Sequence, residues 1–292
     1  MSETLQTTDA AFPATDLPAT DLPATDLPAT DLPDATLLDR TADAVRAAGA
    51  ALRERFGEVV RYRSREELMS ALAANDDTAL DILRPRLTRL RPGAGWVEDE
   101  LDGGALPAGE WWVVDPAEGN VNHLHALPEW AVTATLVRDN QPVLTVVHLP
   151  LTGETYTALT GAGAHLDGRP LHVSSTADLG LGIVATSQAR PDEDEEVVRR
   201  VGSSITAMLF DALVVRTAVP ATLHLANVAA GRMDAFWQFA GARADLLPGA
   251  LLVTEAGGRI SDAQGRPWTP GSESFLAAAP GVHAQAVTTL SR

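Results

Sequence analysis

The chain contains no cysteine and no lysine among its 292 residues, and aromatic side chains make up only 5% of it. Without cysteine, disulfides, thiolate nucleophiles and cysteine-ligated zinc are all excluded, so any metal must sit on oxygen or histidine. The 22 basic residues are therefore all arginine, a bias that points to GC-rich coding rather than to chemistry. No run approaches the roughly 18 continuous apolar residues of a membrane span, and the N-terminus lacks the basic region and apolar core of a secretory signal. A cytoplasmic location is the default expectation. Positive charge is scarce as well: 39 acidic residues outweigh the arginines and leave a formal charge of −17. Nucleic acid and anionic membrane would both be repelled, so neither is expected as a partner.

What is present suits a folded protein with a large core, since 45% of residues are apolar and 21% charged. Residues 13–32 repeat PATDL four times. A proline every fifth residue defeats helix and sheet, and the period is far too short for a solenoid, so residues 1–36 are expected to be a flexible or polyproline-like tail. Helical spacing then runs from Leu37 to Phe56 and stops at Gly57. Ser64-Arg65-Glu66-Glu67 is a capping box and predicts a short second helix. A third helix is predicted from Asp77 to Leu90.

After Gly95 the texture changes to β-branched runs at 111–115, 131–139, 142–150 and 154–160, followed by a turn, short strand and turn over 161–171. Strands are predicted again at 182–187, 212–218, 232–239 and 275–279, with helices at 192–205, 221–232 and 246–258. This interleaving implies layered α/β lobes, 37–175 and 176–292, with a site between them.

The run WWVVD ends at Asp115 and turns through Pro116 into Ala117-Glu118-Gly119-Asn120. A strand stopping there puts a carboxylate at the open end of a sheet, where α/β proteins place ligands. Glu118 and the backbone N–H groups of the turn can face the same point. The ligand this chemistry suits is a hard dication beside a phosphate, because magnesium takes oxygen donors and shares them with substrate phosphate. Glu98-Asp99-Glu100, upstream, and Asp245, before the LLPGALLV segment, complete an acidic set drawn from several elements, as a two-metal site requires.

The stretch WVVDPAEGNVNHLHALPEWAVTATLVRDNQPVLTVVHLPLTGETYTALTGAGAHLDGRPLHVS resembles the middle of the inositol monophosphatase family. ANVAAGRMDAFW and ADLLPGALLVTEAGGRI resemble its C-terminal signature in order and spacing, and the similarity extends over most of residues 37–290. The resemblance implies a layered αβαβα sandwich of the inositol monophosphatase and fructose-1,6-bisphosphatase type. It also implies a homodimer and magnesium-dependent hydrolysis of small phosphate monoesters, with manganese as a substitute ion. Carried across, Asp115 is a bridging metal ligand, the Ala117 carbonyl another, Glu118 the second motif carboxylate and Asp245 the holder of a second metal. A glutamate of the Glu98–Glu100 cluster, Glu98 with Asp99 as its neighbour in the preferred register and Glu100 in the other, would bind metal and help deprotonate the attacking water, and Asp77 would match a weaker third-metal aspartate. Gly119 and Asn120 would offer N–H groups to phosphate.

The pattern departs from the family where chemistry is expected. The usual motif is Asp-Pro-Ile-Asp-Gly-Thr. Glu118 is one methylene longer than aspartate and should weaken magnesium binding, while Asn120 replaces a threonine that orients the water. The usual Gly-Ser-Ala near substrate is Val219-Pro220-Ala221, Gln238 stands where a glutamate often holds a polyol hydroxyl, and Ala244 replaces a tryptophan. The glycines Gly161, Gly163, Gly231, Gly257 and Gly258 are kept. Two expectations follow. The first is a divergent metal-dependent phosphatase acting on a sugar, inositol or nucleotide monophosphate. The second is a relative that has lost hydrolysis and binds a ligand or runs another reaction in the same cleft, in a specialised biosynthetic pathway, with His123, His125 and His224 as its acid–base groups.

Overall fold

The computed structural model describes residues 34–57, 61–98, 104–189, 193–239 and 243–292. The PATDL repeats, Asp99 and Glu100 lie outside the described residues. In chain order the elements are α1 (Asp34–Arg55), α2 (Arg65–Leu90), β1 (Gly95–Trp96), β2 (Glu110–Glu118), α3 (Asn120–Leu124), β3 (Ala131–Arg138), β4 (Gln141–His148), β5 (Thr155–Leu159), β6 (Gly163–Leu166) and β7 (Arg169–Pro170). They continue with β8 (Ile183–Thr186), α4 (Glu195–Asp211), β9 (Val214–Thr217), α5 (Ala221–Ala229), β10 (Ala235–Phe239), α6 (Arg243–Glu255), β11 (Arg259–Ser261), β12 (Ser274–Ala278) and α7 (Pro280–Leu290).

Seven strands form a sheet in simple chain order from β1 to β7, antiparallel except for the β1–β2 pair. Five more form a second sheet in the order β11-β12-β10-β8-β9, with β10, β8 and β9 parallel. Helices α1 and α2 cover one face of the first sheet, where Leu37, Val45, Leu52, Leu83 and Leu87 meet Trp112, Val132 and Leu144. Helices α5 and α6 fill the space between the sheets, joining Leu225, Leu251 and Val253 to Val147 and Tyr156 on one side and Phe236 and Phe275 on the other. Helices α4 and α7 close the far face against Trp237 and Leu276. The result is the expected αβαβα sandwich. It also explains the unbroken apolar runs of β2 and β3: a strand covered by helices on both faces is buried at nearly every position.

Several expectations are corrected. The predicted break between two helices after Ser64 does not exist. Ser64 caps as read, its Oγ accepting from the Glu67 N–H at 3.1 Å, but α2 then runs for 26 residues with Pro85 inside it. The predicted helix start at Asp77 lies inside α2, where Asn75 is buried and spends its amide on distant partners. The helix α7 was not predicted, although Pro280 at its first turn is a readable start signal. The strands β1 and β11 and the short helix α3 were also missed.

Burial holds the imidazoles of His123, His148, His224 and His283 below the ordinary histidine range. Such groups bind protons more readily once unfolded, so their contribution to stability is complete above about pH 6.5 and is lost as pH falls below it. Asp76 has the opposite sign, since burial pushes it up to about 6 and its penalty is relieved as pH falls through that value. Four groups oppose one. The melting temperature should therefore drop between pH 7.5 and 5.5, and a melting temperature that holds or rises over that range contradicts the burial of these imidazoles.

Candidate metal centre

Strand β2 carries the first two carboxylates to one place by an irregularity. Asp115 pairs with Thr133 and Glu118 with Ala131, so three steps on β2 oppose two on β3. Residues three apart on a regular strand point to opposite faces; the extra residue of a bulge reverses the phase and turns both side chains the same way. The turn is fixed locally by the Ala117 N–H, which donates to Asp115 Oδ1 at 3.0 Å. Asp115 and Glu118 are buried, and Asp245 arrives from the first turn of α6, part-buried. One oxygen from each of the three carboxylates lies within 4.8 Å of the others.

A threonine that the sequence did not single out holds this arrangement. Thr222, the second residue of α5, is fully buried, and its Oγ1 lies 2.8 Å from Glu118 Oε2 and 2.9 Å from the Asp245 carbonyl oxygen. One hydroxyl thus ties the end of β2 to the start of α6. Gly119 completes the turn with φ of +79°, and a Cβ there would lie 2.7 Å from the Glu129 carbonyl oxygen and 3.1 Å from Pro220 Cγ. Only glycine fits, and the segment Val219-Pro220-Ala221 is thereby packed onto the motif turn, with the N-terminus of α5 beside it.

The remaining expected site residues have partners of their own. Glu98 is exposed and its carboxylate is bound by Arg84; it is not part of the three-carboxylate cluster. The Asn120 side chain faces α2, its Nδ2 donating to the Leu72 carbonyl at 3.0 Å and to Asp76 Oδ1 at 2.8 Å. The aspartate at this turn is therefore Asp76 rather than Asp77, which is exposed. Gln238 is buried on β10 and accepts from Ser187 Oγ at 2.7 Å. Ala244 packs against Val113, Val137 and Leu247.

Of the three histidines, His123 and His224 are buried in the fold and His125 is exposed. His123 is wedged against Phe56 and Trp130, with one ring nitrogen 2.9 Å from the Leu52 carbonyl and the other 3.0 Å from Asn75. His224 stacks on Phe236 with Nε2 3.1 Å from the Ala218 carbonyl. His125 meets the edge of Tyr62.

The donor set suits a hard dication. All three groups are carboxylates, and oxygens bound at about 2.1 Å to one magnesium lie about 3 to 4 Å apart, so a spread within 4.8 Å matches one ion or two neighbouring ones. Among the described residues no helix is long and apolar enough to cross a membrane.

Comparison with known proteins gives the same direction. The sequence profile of the inositol monophosphatase family matches residues 35–292. An inositol-1-monophosphatase of Rhizobium meliloti is 33% identical over 233 residues, covering 78% of this chain and 86% of the relative. A Nus factor SuhB of Xylella fastidiosa is 33% identical over 229 residues, covering 76% of this chain and 80% of the relative. Among solved structures, the extragenic suppressor protein suhB of Bartonella henselae superposes with a TM-score of 0.76 at 25% identity, over 88% of this chain and 99% of that one. With the profile spanning nearly all of the described fold, the chain belongs to the inositol monophosphatase family.

Proposed function

We propose that the protein is a metal-dependent phosphatase for small phosphate monoesters of the sugar, inositol or nucleotide type, working as a homodimer. The observation that carries this reading is the convergence of Asp115, Glu118 and Asp245 from two distant elements onto one point. These three, with the Ala117 carbonyl, would hold magnesium or manganese. The metal, when bound, polarises the phosphoryl oxygens and acidifies a water. The chain does the rest by position. Backbone N–H groups at Gly119, Asn120 and the start of α5 receive phosphate oxygens, since the first turn of a helix presents unpaired donors and the positive end of its dipole. Asp76, pushed up to about 6 by burial, can hold or release a proton near neutrality, and the Asn120 amide keeps it in place.

The direct test is phosphate release from a panel of sugar, inositol and nucleotide monophosphates, with magnesium or manganese and with chelator. Turnover that requires metal supports the reading; no turnover on any member with either metal contradicts it. Because Thr222 orients Glu118, Thr222→Val should weaken manganese binding about 10-fold by calorimetry, the usual scale for removing a partner of a metal-binding carboxylate. Unchanged affinity would remove Thr222 from the account.

A second reading, a family member that binds a ligand without hydrolysing it, is favoured by the commitment of the Asn120 amide to α2 and by the 33% identical relative named as a Nus factor. Saturable binding of a phosphate monoester to the metal-loaded protein without release of phosphate distinguishes it.

A further inference from the structure

Helix α2 reaches the motif turn through Leu72, Asp76 and the buried Asn75. Asn75 is 1% exposed and contacts three side chains: its Oδ1 accepts from Arg55 Nε at 2.9 Å, and its Nδ2 lies 2.8 Å from Asn120 Oδ1 and 3.0 Å from His123 Nδ1. The direction of every bond in this chain is fixed by chemistry at both ends. At one end is the Leu52 carbonyl, which can only accept, so His123 Nε2 must carry a proton to donate to it. Burial keeps this imidazole below the ordinary histidine range and hence neutral near pH 7, which leaves Nδ1 as an acceptor. The group facing it must be the NH2 of Asn75, and the oxygen of Asn75 must face the guanidinium of Arg55. The second N–H of Asn75 then points at Asn120, which must present its oxygen.

The other end agrees independently. The Leu72 carbonyl can only accept, so the Asn120 group beside it must be NH2, whose second hydrogen faces Asp76 Oδ1. Starting from either carbonyl gives the same orientation of both amides.

We propose that Asn75 is a positioning residue of this site: by accepting from Arg55 and donating to His123 and Asn120, it locks the Asn120 amide with its NH2 on Asp76. An amide left to rotate could present oxygen to the Asp76 carboxylate, which repels it. With the orientation locked, the negative form of Asp76 is always met by a donor beside the motif turn. His123 then serves as the fixed end of this chain, through its tautomer, and not as an acid or base.

The positioning role rests on the phosphatase reading only for its kinetic consequence. Its first test uses the unaltered full-length chain: the 15N shifts of the His123 ring near pH 7 should be those of a neutral imidazole protonated on Nε2, and a ring protonated on Nδ1 or on both nitrogens overturns the proposal. The second uses Asn75→Leu, which removes donor and acceptor at similar volume. The Asn120 side-chain NH2, followed by 1H–15N NMR, should then exchange its hydrogens with water about 10-fold faster than in the unaltered chain, the scale of one lost hydrogen bond holding the amide. A folded variant with unchanged Asn120 side-chain exchange overturns it, and if the variant does not fold the tautomer measurement decides. On a phosphate monoester that the unaltered chain hydrolyses, Asn75→Leu should lower kcat about 10-fold with KM unchanged, whereas a raised KM at constant kcat overturns the role. Absence of turnover in the unaltered chain counts against the phosphatase reading alone, because both NMR readings stand without it.

Discussion

Asp115→Asn should reduce metal-dependent phosphate release by about a thousand-fold, the scale expected when several kcal/mol of metal-supplied stabilisation is lost. The substitution preserves size, and its side-chain oxygen can still accept from the Ala117 N–H, so the bulge that turns β2 is retained. What disappears is one negative charge of the three that meet within 4.8 Å. A neutral amide oxygen is a far poorer ligand for a hard dication than a carboxylate. The check has two parts: calorimetric titration with manganese should show binding weakened at least about 100-fold, and thermal melting without metal should match the unaltered protein. A variant that folds normally and still hydrolyses its substrate at the original rate would remove Asp115 from the metal site.

The largest stability effect is expected at Trp237. This side chain is fully buried in the middle of β10, the strand that pairs with both β8 and β12, and its Nε1 donates to Ser204 Oγ on α4 at 2.9 Å. Trp237→Ala removes the contacts that hold α4 and α7 to the second sheet and leaves the Ser204 hydroxyl without that donor. Truncation of a buried tryptophan costs about 3–5 kcal/mol, which for a chain of this size lowers the melting temperature by on the order of 10 °C. Thermal unfolding followed by circular dichroism checks it. A loss of less than about 2 °C would show that the outer helix layer does not depend on this ring.

The layers and the two motif carboxylates were legible because they rest on local rules. An apolar run that stops at an aspartate and turns through a proline marks a strand end, and alternating helical and β-branched segments mark a layered fold. What was not legible depends on phase or on long-range packing. Residues 115 and 118 share a face only because β2 bulges opposite β3, and nothing local in DPAE announces the extra residue. Asp76 and Asp77 are one residue apart, which on a helix is about 100° of rotation. With the start of α2 misplaced, the wrong aspartate was turned toward the motif.

Thr222 could not be chosen from the sequence because its role depends on how closely α5 approaches α6. That approach is set by Gly249, where a Cβ would lie 2.3 Å from Leu225 Cβ. The missed helix α7 has small apolar and polar residues and no charged face, so its periodicity is faint, and only Pro280 marked its start.

The most direct test of the central claim is anomalous diffraction from crystals grown with manganese. One or two anomalous peaks bounded by oxygens of Asp115, Glu118 and Asp245, at roughly 2.0–2.3 Å from them, are the predicted result. Density for the protein with no such peak at millimolar manganese, or with the ion bound elsewhere, contradicts it.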